Sequence, residues 1–179
     1  VAEADDLLAV GRFGVGYDTV DLPACTKADV LAFIAAGAVD RSMAEATVGW
    51  MIALGHHIRS KDQLVRSGQW DDRTGFLGSE LRDHTFGAVG LGGIARKTVE
   101  LLSGFGMNPP IAFDPYVEPQ TAAGVGVQLV ALEHLMAEAD FVSVHCPLTD
   151  STRNLIGTEQ IGLMKPSAFL LNTARGGIV

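Results

Sequence analysis

A glycine-rich turn is the part of this sequence whose residue types and spacing most clearly indicate chemistry. The segment Gly90-Leu91-Gly92-Gly93-Ile94-Ala95 follows the apolar run 86–89 and begins a stretch with helical spacing. In such turns the first glycine allows a sharp reversal and the second lets a diphosphate approach the main chain, while a small third residue lets helix pack on strand. Phosphate then binds free N–H groups at the positive helix end. The segment predicts a dinucleotide site, with Gly90, Gly92 and Ala95 in these three positions.

An acidic residue follows the glycines at the spacing that a ribose contact requires. Asp114 comes about twenty positions later, directly after the apolar segment 111–113. A carboxylate at this place accepts hydrogen bonds from a ribose diol and repels a 2′-phosphate, so Asp114 favours NAD over NADP. Pro109 and Pro110 precede the segment and cannot donate to a sheet. We interpret them as a connection that delays the start of the strand.

The order of the surrounding elements supports the dinucleotide interpretation, because a glycine-rich turn alone is a weak signal found in many loops. The predicted elements are strand 86–89, helix 94–105, strand 111–113, helix 129–136, strand 141–145, helix 158–164 and strand 168–172. Continuous apolar strands are typical of a parallel sheet with helices on both faces. The sequence therefore predicts an α/β fold: a doubly wound parallel sheet, forming a Rossmann domain over residues 68–179 that is truncated at its C-terminal end.

Residues 1–39 have the pattern of a short, separate α/β piece. Predicted strands 7–10 and 30–34 enclose a glycine-containing loop, 11–16, and a helical turn, 22–25. We interpret this piece as part of a second, substrate-binding domain.

Residues 40–67 are predicted as one long helix between the two domains. Ser42 and Glu45 have the spacing of a capping box, in which each side chain satisfies a backbone donor at the start of a helix. Apolar side chains then keep helical spacing towards Val65. Residues 70–84 are polar and turn-rich, which predicts a surface connection.

The composition limits the classes of function. The chain has 179 residues, of which 47% are hydrophobic, and a formal net charge of −8. This length suffices for one buried core and is short for two complete domains. An acidic chain without a basic run argues against nucleic acid or an anionic membrane as the partner. The longest apolar stretch, 30–39, is too short to cross a bilayer, so we expect a soluble, cytoplasmic protein.

The two cysteines and the chain ends carry separate expectations. Cys25 and Cys146 lack metal-ligand spacing, so we expect buried hydrophobes or free thiols and no metal site.

The chain begins with Val1 and ends with Val179, directly after a predicted strand and turn. We interpret it as an internal portion of a longer polypeptide.

A second signature lies after the last predicted strand, where open α/β sheets place their ligands. The segment 172–177 contains Arg175, whose guanidinium is a rigid donor fork that matches a carboxylate and can polarise a neighbouring carbonyl. The alternative is an ordinary exposed arginine in a turn.

With these motifs the chain resembles the D-2-hydroxyacid dehydrogenases, an NAD-dependent family that includes phosphoglycerate, glyoxylate/hydroxypyruvate and formate dehydrogenases. The matching stretches, in the order of the family, are 11–18, 44–47, 90–95, 113–115, 144–149 with 152–153, and 164–177. The resemblance implies that residues 1–39 belong to a flavodoxin-like substrate domain. It also implies a homodimer with the long helix near its interface, and a small 2-hydroxy or 2-oxo acid as substrate.

The resemblance implies a role for each matching residue. For the cofactor these are Thr47 from the long helix, the turn glycines with Gly93 and Ile94 at the diphosphate, Asp114 at the adenosine ribose, Cys146, Pro147 and Thr152 on the adenine side, and Thr173 and Ala174 on the nicotinamide side. For the substrate they are the N–H groups of Val15 and Gly16 and the guanidinium of Arg175. Many relatives carry a basic or polar side chain where Gly93 stands, so a phosphate contact should be lost here.

In this family a hydride moves between C2 of the hydroxy acid and the nicotinamide. A histidine that is oriented by a carboxylate acts as general acid/base, because this task suits a group that titrates near neutrality. The resemblance places that histidine and its glutamate beyond Val179. None of the histidines of this chain matches the motif, and we expect packing or surface roles for all of them: His56, His57, His84, His134 and His145.

Two alternatives remain open at this point. Transcriptional corepressors of the C-terminal binding protein type share these motifs and use the dinucleotide to control assembly, so a sensor without turnover is possible on the same fold. The other alternative is a degenerate domain that binds nothing, against which the intact Asp114 and Arg175 argue.

Overall fold

The computed structural model describes residue 4 and residues 6–179. Residues 1–3 and 5 of the predicted 1–39 segment lie outside the described residues. The strands are β1 (Ala9–Arg12), β2 (Leu31–Ile34), β3 (Phe86–Val89), β4 (Ile111–Phe113), β5 (Gln128–Leu129), β6 (Phe141–Val144) and β7 (Phe169–Asn172). The α-helices are α1 (Leu22–Lys27), α2 (Asp40–Gly55), α3 (Ile58–Ser67), α4 (Gly93–Leu102), α5 (Pro119–Ala123), α6 (Leu132–Glu138) and α7 (Thr158–Gly162).

The main sheet has five parallel strands in the order β5-β4-β3-β6-β7. Within this sheet the first strand along the chain, β3, lies at the centre. The next strands, β4 and β5, extend the sheet on one side of β3, and β6 and β7 then extend it on the other side. Such an order creates a switch point at the carboxyl ends of β3 and β6, where crossover connections leave in opposite directions. The predicted fold class, a doubly wound parallel sheet of the Rossmann type, is confirmed.

The two central strands form the core because both of their faces are covered. All four residues of β3 and all four of β6 are buried. On one face Phe86 packs in a cluster with Met51 of α2 and Leu102 of α4. On the other face Val89 packs in a cluster that includes Leu135 of α6. Burial on both faces explains why these strands are continuous apolar runs.

A smaller parallel sheet lies before the long helical region. β1 pairs with β2 in a register that places Ala9 opposite Leu31. The first strand begins two residues later than predicted. The helix between the two strands begins at Leu22, where the Asp21 side chain accepts a hydrogen bond from the Ala24 amide at 2.9 Å.

The prediction of one unbroken helix from Ser42 towards Val65 is wrong. α2 ends at Gly55, and His57 has a left-handed backbone with φ +51° before α3 begins. The break coincides with a long-range contact, in which the Ser79 amide donates to the Gly55 carbonyl at 2.9 Å. A Cβ on Gly78 would lie 2.7 Å from the His56 Cα, so the returning chain packs directly on the break. A tertiary contact of this kind leaves no trace in the helical spacing.

The predicted capping box does not form. α2 begins at Asp40, and no side chain in the described part of the chain caps its first turn. The Ser42 hydroxyl donates to the Val39 carbonyl, and the Glu45 carboxylate accepts from Arg41 at 2.6 Å. The ion pair one turn away therefore takes the carboxylate that the box would have used.

Other differences concern short elements. α5 and β5 were not predicted, because with five and two residues they are too short to show a hydrophobic period. The helix predicted at 129–136 is observed as α6, and the one predicted at 94–105 ends at Leu102. Within 70–84, residues Trp70–Phe76 form a 3-10 helix. Among the described residues no helix is both long and apolar enough to cross a membrane.

Gly87 provides a test of the packing between β3 and α6. A Cβ at this position would lie 2.8 Å from the Ala139 Cβ and 3.0 Å from Leu135 Cδ2. We expect Gly87→Ala to lower the free energy of unfolding by about 1–3 kcal/mol through overpacking, measured by urea denaturation. Gly104→Ala is the control, because a Cβ there meets no described atom within 4 Å, and it should stay within about 0.5 kcal/mol of wild type. Equal stability of the two variants would contradict this account of the core.

Candidate cofactor and substrate site

The loops that follow β3, β6 and β7 meet at the carboxyl edge of the sheet, next to its switch point. Two adjoining cavities lie there, of about 540 Å³ and about 370 Å³. They share His145, Cys146 and Pro147, which follow β6. Two joined compartments of this kind suit a ligand with two halves.

The turn after β3 is possible only with glycine at its first position. Gly90 has φ +95°, and a Cβ there would lie 2.8 Å from the Cys146 nitrogen and 3.0 Å from its Cα. The Gly90 amide donates to the Phe113 carbonyl at 2.8 Å, which ties the turn to the end of β4. The close approach of two main chains brings the loops of β3, β4 and β6 together.

Gly92 differs from Gly90, because neither its backbone nor its protein neighbours require glycine. Its φ of −76° is ordinary, and a Cβ would meet no described atom within 4 Å. The space beside Gly92 opens into the larger cavity at the start of α4. The first helical bond runs from the Arg96 amide to the Gly92 carbonyl, so the three preceding amides have no partner inside the helix. These features fit a diphosphate on the helix end.

Asp114 is held directly against the glycine turn. Its Oδ2 accepts from the Leu91 amide at 2.8 Å and its Oδ1 accepts from the Tyr116 amide at 2.9 Å. Each carboxylate oxygen has further lone pairs, so both can still accept from ribose hydroxyls. Asp114 lines the larger cavity together with Gly90 and Gly92. The predicted contact of Asp114 with an adenosine ribose stays a prediction, for which the carboxylate has free lone pairs and a place on the cavity wall.

The loop after β6 closes the other side of the larger cavity. The Thr152 hydroxyl donates to the Pro147 carbonyl at 2.6 Å and accepts from the Thr149 amide at 2.8 Å. Its hydroxyl is therefore used to fold the loop that Pro147 and Cys146 begin. Burial raises the pKa of the Cys146 thiol, which keeps it uncharged beside the cavity.

The smaller cavity contains Arg175 and joins the two parts of the chain. The Arg175 Nε donates to Asp18 Oδ1 at 2.9 Å, and Nη1 donates to the Ala174 carbonyl at 2.9 Å. The hydrogen bond from Arg175 to Asp18 lowers the pKa of the Asp18 carboxyl, so the aspartate stays ionised. A Cβ on Gly16 would collide with the guanidinium, whose Cζ would be only 2.8 Å away. Gly16 is thus the residue that admits Arg175 to the cavity.

The structure gathers most of the predicted site residues around these two cavities. The smaller one is lined by Val15, Gly16, Ile94, Cys146, Pro147, Thr173, Ala174 and Arg175. The larger one is lined by Gly90, Gly92, Asp114, Cys146, Pro147 and Thr152.

Two predicted residues lie away from the cavity walls. Thr47 is fully buried, and its hydroxyl donates to the Met43 carbonyl at 3.0 Å. Met43, one turn earlier on α2, lines the smaller cavity instead. Gly93 lies at the start of α4 against Asp40. The cofactor roles of Thr47 and Gly93 stay predictions, as do the cofactor and substrate roles of the residues that line the cavities.

His145 lines both cavities, a contribution that was not predicted from the sequence. The residue as a whole is half-buried, and its Nε2 is closed off from solvent and has no hydrogen-bond partner among the described residues. Burial lowers the pKa of His145 to about 4, so the imidazole is neutral at physiological pH. Its place at the end of β6 was the available signal. Asp18 was also missed, since nothing in its local spacing indicates Arg175 as its partner.

Comparisons with known proteins identify the family to which the chain is similar. Residues 48–179 match the family described as D-isomer specific 2-hydroxyacid dehydrogenase, NAD binding domain. The whole chain is 41% identical to a D-3-phosphoglycerate dehydrogenase of Methanocaldococcus jannaschii, of which it covers 34%. The chain thus spans about a third of the length of the curated relatives that it matches.

Solved structures extend the comparison to the fold. A glyoxylate reductase from Paecilomyes thermophila has a TM-score of 0.88 and 29% identity, with 98% of this chain and 52% of that chain covered. A D-lactate dehydrogenase from Aquifex aeolicus, complexed with NAD and lactic acid, has a TM-score of 0.87 and 29% identity, with 97% and 51% covered. The predicted family and its cofactor, NAD, are confirmed. These comparisons give no support to the corepressor alternative.

Asp114 generates a prediction about cofactor choice. Asp114→Asn removes the charge that repels a 2′-phosphate, so we expect the ratio of NADPH to NADH dissociation constants to fall about tenfold, which corresponds to about 1.4 kcal/mol. Asp114→Ser should act in the same direction. Calorimetric titration of the full-length protein measures both constants.

Asp72→Ser is the matched control for Asp114, because Asp72 is exposed and lines neither cavity. An unchanged ratio in both Asp114 variants would remove this carboxylate from the ribose site.

Proposed function

We propose that this chain, which belongs to the family of D-isomer specific 2-hydroxyacid dehydrogenases, is part of an enzyme that interconverts a D-2-hydroxy acid and its 2-oxo acid with NAD. The substrates we propose are of the phosphoglycerate or hydroxypyruvate/glyoxylate type. The observation that carries the proposal is the place of Arg175, whose guanidinium lies in a cavity that adjoins the dinucleotide cavity. Because the chain spans about a third of its curated relatives, the activity belongs to the whole protein.

The cofactor would be held by the residues of the glycine turn. The larger cavity receives the adenosine half at Asp114, the α4 terminus receives the diphosphate, and the smaller cavity receives the nicotinamide near Thr173 and Ala174. Bound NAD supplies the hydride acceptor for the oxidation of the hydroxy acid, and its reduced form supplies the hydride in reverse.

The substrate carboxylate would be bound by Arg175 with the amides of Val15 and Gly16. Asp18 and the Ala174 carbonyl occupy two of the five guanidinium donors, which fixes the plane of the fork. The remaining donors are free to bind a carboxylate and to polarise the adjacent 2-oxo group. Asp18 is therefore proposed to position Arg175 rather than to contact substrate.

We propose that the general acid/base belongs to a part of the same polypeptide beyond residues 1–179. His145 does not suit the task, because burial lowers its pKa to about 4 and a group that exchanges protons near neutrality is required. Among the described residues the other histidines line neither cavity. A histidine oriented by a glutamate, as in the relatives that the motifs resemble, would complete the site.

The function is tested by turnover of the full-length protein. We expect the protein to oxidise NADH in the presence of hydroxypyruvate, glyoxylate or 3-phosphohydroxypyruvate. The loss of absorbance of the reduced nicotinamide measures this oxidation. Binding of NADH without turnover of any of these acids would favour the corepressor type of sensor instead.

Arg175→Lys tests the substrate site separately from the cofactor site. A lysine keeps the charge but loses the planar fork, so we expect kcat/KM for a 2-oxo acid to fall about 10- to 100-fold. The dissociation constant of NADH should change less than about twofold, since the fork serves the acid. Arg59→Lys, on the exposed side of α3, is the control and should behave as wild type. An equal loss of NADH binding would assign Arg175 to the cofactor or the fold.

We propose that the protein is a cytoplasmic homodimer with α2 and α3 near the interface. Exposed apolar side chains on these two helices and directly after α3 support the dimer: Trp50 is 58% exposed, Val65 61% and Trp70 49%. The free thiols of Cys25 and Cys146 support a reducing compartment.

Trp50→Glu tests the interface. A charge at this position should shift the full-length protein towards the monomer in light scattering, because it would be desolvated in the dimer. Leu163→Glu is the control, since Leu163 is 41% exposed but follows α7. A dimer that is unchanged by Trp50→Glu would contradict the proposed interface.

A further inference from the structure

Asp40 lies where two helices begin. It is the first residue of α2, and it faces Gly93, the first residue of α4. A Cβ on Gly93 would collide with the Asp40 carboxylate, with Cγ 2.7 Å and Oδ1 3.2 Å away. The carboxylate therefore occupies the space that any side chain at position 93 would need.

The position of this carboxylate has an electrostatic cause. Each helix carries a partial positive charge at its N-terminus, and α2 and α4 are long enough, with sixteen and ten residues, to develop it. A carboxylate between both ends is stabilised by both, although none of the described side chains is hydrogen-bonded as a cap to either helix. Asp40 thus stabilises the fold without a bound anion.

The nearby basic residues are directed to other partners. Arg41 pairs with Glu45 at 2.6 Å, and Lys97 pairs with Glu100. The Nε of Arg96 donates to the Leu91 carbonyl at 2.9 Å. Asp40 itself forms no ion pair among the described residues. A diphosphate at the start of α4 would therefore approach a carboxylate that no described side chain neutralises.

We propose that Asp40 competes with the diphosphate of the cofactor for the start of α4 and thereby weakens the binding of adenosine dinucleotides. The helix end can interact fully with one anion at a time, so the carboxylate turns away or repels the ligand when the diphosphate binds. Asp40 is then a determinant of cofactor affinity, and its contributions to fold stability and to ligand binding have opposite signs. This inference rests on the proposed placement of the diphosphate.

The test compares wild type with Asp40→Asn in the full-length protein, using two ligands. ADP-ribose contains the diphosphate, and we expect the variant to bind it about three- to tenfold more tightly in calorimetry. Adenosine lacks the diphosphate and should bind equally to both proteins. The melting temperature of the variant should fall by about 1–3 °C, since a charge at two helix ends is lost. A purely structural role would weaken stability and binding together.

Salt provides a second readout. Added KCl screens charge, so the difference in ADP-ribose affinity between the two proteins should narrow as ionic strength rises. Asp40→Ser, which keeps a residue favoured at helix starts, gives the same test if the asparagine variant does not fold. Glu133→Gln changes the net charge equally at an exposed site on α6 and should leave ADP-ribose binding unchanged.

Each outcome decides between the proposals. Equal or weaker ADP-ribose binding by both Asp40 variants overturns the role of Asp40, as does an equal gain for adenosine. If neither wild type nor variants bind ADP-ribose or NADH, the diphosphate site itself is wrong, which is a different failure.

Discussion

The close approach of Gly90 to the main chain at Cys146 is the contact on which the rest of the site depends. Only a residue without a Cβ can turn at φ +95° with another backbone 2.8 Å from the place of that missing atom. This approach sets β3 beside β6 at the switch point, and the Gly90 amide holds the end of β4 through the Phe113 carbonyl. The start of α4, Asp114 and the loop after β6 then face one cleft.

A second long-range interaction connects this cleft to the first part of the chain. The Arg175–Asp18 ion pair joins residues that are 157 positions apart, and both side chains are partly exposed, 38% and 30%. Exposed pairs contribute little free energy, so the role of this one is geometric. It fixes the guanidinium between Gly16 and the Ala174 carbonyl, which neither part of the chain could do alone.

Elements marked by a continuous apolar run or by a glycine motif were predicted from the sequence. Features whose position is set by contacts between distant residues were not. β3, β4 and β7 are continuous apolar runs, and the Gly90 turn with Asp114 was identified from spacing alone. The break at His57 depends on contacts with Gly78 and Ser79, which lie about twenty residues later in the sequence and therefore leave no mark on the local helical spacing. Likewise the Asp40–Gly93 contact joins the first residues of two helices, and nothing in a linear sequence shows which helix starts face each other.

Cys146 has a chemical consequence for the durability of the cleft. A thiol whose pKa is raised by burial has very little thiolate at neutral pH, and the thiolate is the form that reacts with alkylating agents and peroxides. The wall between the two cavities can therefore carry a polarizable sulfur atom without becoming a point of oxidative damage. Inertness here is a property of the surroundings, because the same residue on an exposed loop would be open to attack.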